Sequence, residues 1–238
     1  MARDAGCIAG LGAALRVFEL LDDDVAVAAT LADGALVEAG TPLATISGSA
    51  RTILAGERLA LNLLGHLSGV ATATRALVDR VEGTAATIID TRKTTPLLRS
   101  LEKMAVVAGG GGNHRMGLYD AILIKDNHIE AAGSPAEAVR RARAAVDEDV
   151  RVEVEIESVE VLESVIDAGA DIVMLDNMHP EAMRAAVERA AGRCLLEASG
   201  GITLDTVRAV AESGVDLISV GWITHSAPAL DVALELGG

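Results

Sequence analysis

All three lysines of this chain, Lys93, Lys103 and Lys125, fall between residues 88 and 128, and so do Arg92, His114 and Arg115. The surrounding protein is strongly acidic, with a formal charge of −15 over 238 residues. Arg92 and Lys93 follow the short apolar run Ile88–Thr91, His114 and Arg115 close the glycine run Gly109–Gly112, and Lys125 ends the run Ala121–Ile124. Cations gathered at the ends of apolar runs, in a chain of opposite net charge, describe a pocket for a small and multiply charged anion. Arginine's planar guanidinium matches a carboxylate with two parallel bonds, whereas lysine acts as a point charge. Lys125 closes a buried-looking run and reads as functional. Lys103, on a helix expected over Leu97–Ala108, reads as surface charge.

The elements that must hold these residues follow from periodicity. Strands are expected at Thr87–Thr91, Ala121–Lys125, Arg151–Glu155, Ile172–Leu175, Cys194–Ala198 and Leu217–Val220. Helical patterns fill the gaps at Ser134–Val146, Val159–Ala168, Pro180–Ala191 and Leu204–Ser213. Such alternation means a parallel sheet with crossover helices. Each strand ends on a polar, charged or glycine residue: Thr91-Arg92-Lys93, Lys125-Asp126-Asn127, Glu155, Asp176-Asn177, Ser199-Gly200-Gly201 and Gly221. Chemistry at six successive strand ends favours a (β/α) barrel, incomplete at six strands, over a doubly wound sheet with one switch point. The glycines at 200, 201 and 221 let backbone amides approach a phosphate, and His225 lies on the same last loop. Gly109–Gly112 reads as a mobile loop presenting His114 and Arg115.

Residues 1–68 read as a small α/β domain, with short strands at Val25–Ala29, Leu43–Ile46 and Thr52–Leu54 and a helix over Glu57–Leu67. Pro228–Leu236 reads as a final helix packing back on it. The expected division is 1–68, 69–225 and 226–238.

Composition excludes several classes. A broad basic face is lacking, and Phe18, Tyr119 and Trp222 are the only aromatics, so nucleic acid has neither phosphate contacts nor stacking platforms. No apolar run approaches the ~20 residues of a membrane span, and the N-terminus has no signal-peptide pattern. Cys7 and Cys194 lack metal-type spacing and read as reduced thiols of a cytoplasmic protein.

Taken in order, Glu57-Arg58, Ser68–Thr72, Asp90–Pro96 (DTRKTTP), Asn113-His114-Arg115, Leu123–His128 (LIKDNH), Val152–Glu155 (VEVE), Met174–Asn177 (MLDN), Glu197–Ile202 (EASGGI) and Ser219–Ser226 (SVGWITHS) resemble the quinolinate phosphoribosyltransferases. The resemblance covers nearly the whole chain. It implies an N-terminal α/β sandwich beside an incomplete TIM-like barrel, assembled as a homodimer or hexamer with shared active sites. The implied reaction joins quinolinate to phosphoribosyl pyrophosphate with Mg2+, giving nicotinate mononucleotide, pyrophosphate and CO2, a step of de novo NAD synthesis.

Carried over position by position, Arg92, His114 and Arg115 become the clamp for the two carboxylates, with Lys125 beside them and Arg58 reaching in from a partner subunit. Thr91 belongs to the same pocket. Lys93 and Lys125 would hold pyrophosphate oxygens. Glu155 and Asp176 would contact the ribose hydroxyls and the magnesium ion, and Ser199, Gly200, Gly201, Gly221 and His225 would cradle the 5′-phosphate. Lys93, Lys125, Glu155 and Asp176 are the implied catalytic set. Asp90, Asp126 and Glu197 read either as structural partners of the cations or as further ligands, and Glu153 as facing the barrel interior. The chain departs from the family pattern at Leu59, Met104 and Val107, and the resemblance places helical residues ahead of Met1. The rival readings are a paralogous pyrophosphorylase-like protein and a shortened, non-catalytic anion-binding subunit.

Overall fold

The structure, a computed structural model, describes residues 1–237. In chain order the elements are β1 (Gly6–Cys7), α1 (Leu11–Leu21), β2 (Ala26–Ala29), β3 (Leu36–Val37), β4 (Ala44–Ser47), α2 (Ala50–Arg80), β5 (Thr87–Ile89), α3 (Arg99–Ala108) and β6 (Ala121–Ile124). They continue as α4 (Asp126–Ala132), α5 (Pro135–Ala144), β7 (Arg151–Ile156), α6 (Leu162–Asp167), β8 (Ile172–Asp176), α7 (Pro180–Ala190), β9 (Leu195–Ser199), α8 (Val207–Ala211), β10 (Leu217–Ser219) and α9 (Trp222–His225). Two compact units result: among the described residues, 1–78, 93–112 and 221–237 form one, and 79–92 and 113–220 the other.

The second unit contains a six-stranded parallel sheet in the order β5-β10-β9-β8-β7-β6. The two end strands, β5 and β6, do not pair with each other, so the strand order is that of an incomplete barrel, as expected. The strands are nearly continuous apolar runs because helices cover them. In β7 the alternation RVEVEI puts Val152, Val154 and Ile156 on one face and Glu153 and Glu155 on the other. Helix α5 starts where the sequence says: Pro135 occupies its first position and the Ser134 hydroxyl accepts the Glu137 N–H at 3.2 Å.

The first unit has two small antiparallel sheets, β1-β3 and β2-β4. Its core gathers Ile8, Leu11, Leu15 and Phe18 with Val37, Leu43, Ala60, Leu64 and Leu230. Two expectations fail here. Thr52–Leu54 is no strand but the first turn of the 31-residue α2. β-Branched Thr52 and Ile53 suggested a strand, yet Ile53 opens a helical series, Ile53, Gly56, Ala60, Leu64, Leu67, Ala71, Thr74 and Leu77, whose members are all buried. Ser49 starts the helix by accepting the Ile53 N–H on its carbonyl and the Thr52 N–H on its hydroxyl.

Pro228–Leu236 forms no helix either. Its apolar residues Leu230, Val232 and Leu234 alternate with period two and pack on the core as an extended segment. The segment does run back along the N-terminal residues: Leu230 N–H donates to the Gly65 carbonyl, Arg3 N–H to Asp231 and Ala233 N–H to Met1. Among the described residues no helix is long and apolar enough to cross a membrane.

Candidate active site

Along the sheet's C-terminal rim, β5 leads into Thr91 and Arg92, β6 into Lys125, β7 carries Glu155 as its penultimate residue, β8 ends in Asp176 and β9 in Ser199. The loop before β6 adds His114 and Arg115. Fully buried Asp90, just past β5, anchors that loop by accepting the His114 N–H at 2.9 Å. The next amide, of Arg115, donates to Nδ1 of the His114 ring at 2.7 Å. The Arg115 guanidinium donates through Nη1 to the Ala121 carbonyl at 3.1 Å, while its Nε is buried without a hydrogen-bond partner. Burial, and then the positive charge of Arg92, hold its pKa below the ordinary arginine value. The two arginines thus share one partly buried place, and the Arg92 charge disfavours that of Arg115.

Beneath them lies a cluster that sequence reasoning only partly saw. His114 Nε2 lies 3.0 Å from Glu153 Oε2 and 3.6 Å from Glu197 Oε2, and the three side chains are almost wholly enclosed. Glu197 Oε1 and Oε2 and Glu153 Oε1 are buried without hydrogen-bond partners. Burial, reinforced by the Glu153 charge, pushes the Glu197 carboxyl up to about 8, so at neutral pH it carries a proton. The VEVE pattern was the available signal for Glu153. Nothing local marked Glu197 as buried.

The rim pairs are different in kind. Lys125 Nζ forms an ion pair with Glu155 Oε2, the lysine about half exposed. Asn177 Nδ2 donates to Asp176 Oδ2 at 2.7 Å. These bonds use one oxygen of each carboxylate, and hard oxygen donors on a rim are the set a magnesium ion takes alongside phosphate and water. Between β8 and β9 the backbones converge: Asn177, itself at φ 53°, donates its N–H to the Ser199 carbonyl at 2.9 Å. Gly200 sits at φ 99°, where a Cβ would collide with Asn177 Oδ1. The glycine expected for close backbone approach is therefore required by sterics.

Arg58, Lys93, Gly221 and His225 belong to the other compact unit. Arg58 is an exposed residue of α2, and His225 ends α9 with its Nδ1 2.7 Å from the Ser226 hydroxyl. Lys93 is exposed, but its carbonyl is tied down by the buried Thr224 hydroxyl of α9 at 2.8 Å. The following turn is fixed by Glu102, which accepts the Thr95 N–H at 3.0 Å and contacts His66 at 2.8 Å. No sequence signal announced these supports. Lys103, expected at the surface, is fully buried in α3. Gly109 is no loose loop residue, since a Cβ there would run into the Ala71 carbonyl of α2.

Known proteins resemble this chain over nearly all of its length. Residues 1–68 match the N-terminal domain of quinolinate phosphoribosyl transferase and residues 70–235 its C-terminal domain. The chain is 46% identical to the probable carboxylating nicotinate-nucleotide pyrophosphorylase of Bacillus subtilis, over 99% of this chain and 82% of that protein. It is 45% identical to the carboxylating nicotinate-nucleotide pyrophosphorylase of Mycobacterium leprae, over 98% and 84%. Among solved structures, NadC from Streptococcus pyogenes superposes with a TM-score of 0.93 at 45% identity, covering 97% of this chain and 82% of that one. The nicotinate-nucleotide pyrophosphorylase of Francisella tularensis gives 0.94 at 42%, with the same coverage. The chain belongs to the quinolinate phosphoribosyltransferase family, the pentosyltransferases of pyridine nucleotide biosynthesis.

Proposed function

We propose that this chain performs the family's reaction at the rim described above, transferring the phosphoribosyl group of phosphoribosyl pyrophosphate to quinolinate with loss of CO2. The observation that carries the assignment is the pair Arg92 and Arg115, mutually repelling, with a buried Arg115 Nε that lacks an acceptor. An orphaned buried donor costs about 1–3 kcal/mol, and more where it is charged. A planar dicarboxylate supplies acceptors to both guanidiniums and removes their repulsion. Arg58 of a partner subunit completes the clamp, and Thr91 lines it.

Lys125 answers the same need at the rim. Free, it pairs with Glu155; with substrate bound, it turns to a carboxylate or to pyrophosphate, as does Lys93, next in sequence to Arg92. Glu155 and Asp176 take the ribose hydroxyls and would hold Mg2+. That ion, when bound, neutralises charge on the departing pyrophosphate. Ser199, Gly200, Gly201, Gly221 and His225 take the 5′-phosphate.

The work is positional and electrostatic. The clamp fixes the pyridine ring with its nitrogen aimed at the anomeric carbon, Glu155 and Asp176 favour the positive charge that develops there, and lysines balance the leaving group. Once the nitrogen is quaternised, the C2–carboxylate bond breaks and CO2 leaves; the electron pair stays on C2, stabilised by the adjacent cationic nitrogen, and takes up a proton from water. Exposed Leu54 and Leu59 on α2, and Met104 and Val107 on α3, support self-association as a homodimer or hexamer. The cytoplasm is the proposed compartment.

The test is CO2 release from carboxyl-labelled quinolinate by the purified chain. Release that requires phosphoribosyl pyrophosphate and Mg2+ is expected; absence of release with all three present would overturn the assignment.

A further inference from the structure

We infer that His66 and Glu102 are positioning residues for Lys93, acting on it through the turn that follows it. The inference deepens the reading of Lys93 as a pyrophosphate ligand and rests on that reading.

A lysine binds phosphate as a point charge on a flexible stem, so its aim is set by the backbone that carries it. Around Lys93 that backbone is fixed residue by residue. The Lys93 carbonyl accepts the Thr224 hydroxyl at 2.8 Å, the Thr94 hydroxyl accepts the Arg99 Nε–H at 3.1 Å, and the Thr95 N–H donates to Glu102 Oε2 at 3.0 Å. The turn then closes on itself, with the Leu98 N–H on the Thr95 carbonyl and the Glu102 N–H on the Leu98 carbonyl. Between these bonds Leu97 sits at φ 69° with its side chain wholly exposed. A left-handed backbone costs a leucine free energy that an exposed side chain does nothing to offset. Such a conformation persists where the surrounding bonds over-determine it, and functional loops are where it is found.

Glu102 is the buried end of this set. Its side chain is 0% exposed, so each of its oxygens needs a donor from the protein. Thr95 supplies one through its N–H. The other oxygen, Oε1, lies 2.8 Å from Nε2 of His66, whose side chain is 27% exposed on α2. With a proton on Nε2, His66 holds the carboxylate in the orientation that faces Thr95. Without that donor the carboxylate turns toward another, and the Thr95 amide loses its acceptor. The link therefore runs from α2 through a buried carboxylate of α3 to the second residue after Lys93, all within one compact unit. Supporting bonds of this kind hold a ligand group within about 0.5 Å of its working position.

The experiment uses the full chain, with inorganic pyrophosphate and Mg2+ as the probe. His66→Leu removes the donor at similar volume, His66→Ala repeats the deletion without apolar bulk, and His66→Gln returns an N–H through its amide. Calorimetric titration is expected to show pyrophosphate binding weakened about tenfold in the Leu and Ala variants and restored to within about threefold of the unaltered chain in the Gln variant. The KM for phosphoribosyl pyrophosphate should rise by the same factor, while the KM for quinolinate and the thermal midpoint barely move. A loss of folding alone would not produce that split, nor its rescue by Gln. The backbone is read directly in a chain labelled with 15N-lysine, which gives one amide signal for each of its three lysines. Lys93→Arg identifies the Lys93 signal. That signal is expected to shift or split in His66→Leu and to return in His66→Gln, with Lys125 unmoved. An unchanged Lys93 signal, unchanged pyrophosphate affinity in the Leu and Ala variants, or a Gln variant no better than they are would each overturn the inference. Lys93→Ala tells the two readings apart. If it leaves pyrophosphate affinity unaltered, the role of Lys93 as a ligand falls; if it weakens binding and His66→Leu does not, the positioning inference alone falls.

Discussion

Glu153 and Glu155 stand two residues apart on one face of β7, and each meets a basic side chain, yet they teach opposite lessons. Glu153 is enclosed, 3.0 Å from a His114 ring whose other nitrogen is occupied, beside a Glu197 that burial keeps protonated. Glu155 meets a Lys125 that is about half in solvent. The deep pair costs free energy to break and holds a loop in place. The rim pair is worth about 0–1 kcal/mol and can be exchanged for a substrate contact at little cost. One step of the pleat, two residues along a strand, separates support from chemistry.

The comparison breaks most visibly at the rim. Lys125→Ala should lower kcat/KM by about a thousandfold, the scale of removing one preorganised donor from a developing charge, while the thermal midpoint moves little. Paired turnover and melting measurements check this; a large loss of stability would make Lys125 a structural residue. Gly200→Ala comes next, because its Cβ meets Asn177 Oδ1 and φ is 99°. A loss of about 2–4 kcal/mol is expected in urea unfolding, together with weaker binding of phosphoribosyl pyrophosphate.

The deep pair is tested by pH. The Glu197 pKa is raised on folding, so the folded state binds a proton that the unfolded state releases above about 4.5. Its contribution is fully present below pH 4.5 and is lost progressively as pH rises through about 8. Glu197→Gln, which cannot ionise, should therefore gain on the unaltered chain across that window, by about 1.4 kcal/mol per pH unit at most. Parallel unfolding curves at pH 5 and 8, with an unchanged difference between the two proteins, would contradict the protonated state. The smallest effect belongs to Glu155→Gln: less than about 1 kcal/mol of stability, measured by the same melts.

Much of this was legible because strand ends were. The runs before Arg92, Lys125, Asp176 and Ser199 each formed a strand of the parallel sheet, since continuous apolar runs between helical patterns have few other fates. Thr52–Leu54 and Pro228–Leu236 failed for one shared reason: over so few residues, period two and period 3.6 are separated only by what the chain packs against. The rim residues could be named from their types, but not the set behind them. Asp90, Glu197, Thr224 and Glu102 act through burial and through contacts 24 to 131 residues away, distances that no local spacing encodes.

The most direct measurement is CO2 release from labelled quinolinate by Arg115→Ala beside the unaltered chain, with the thermal midpoint of both recorded. If the paired arginines are the dicarboxylate clamp, release disappears in the variant while the midpoint stays within a few degrees. Near-normal release by a folded Arg115→Ala protein would contradict the clamp, and with it the assignment of chemistry to the rim.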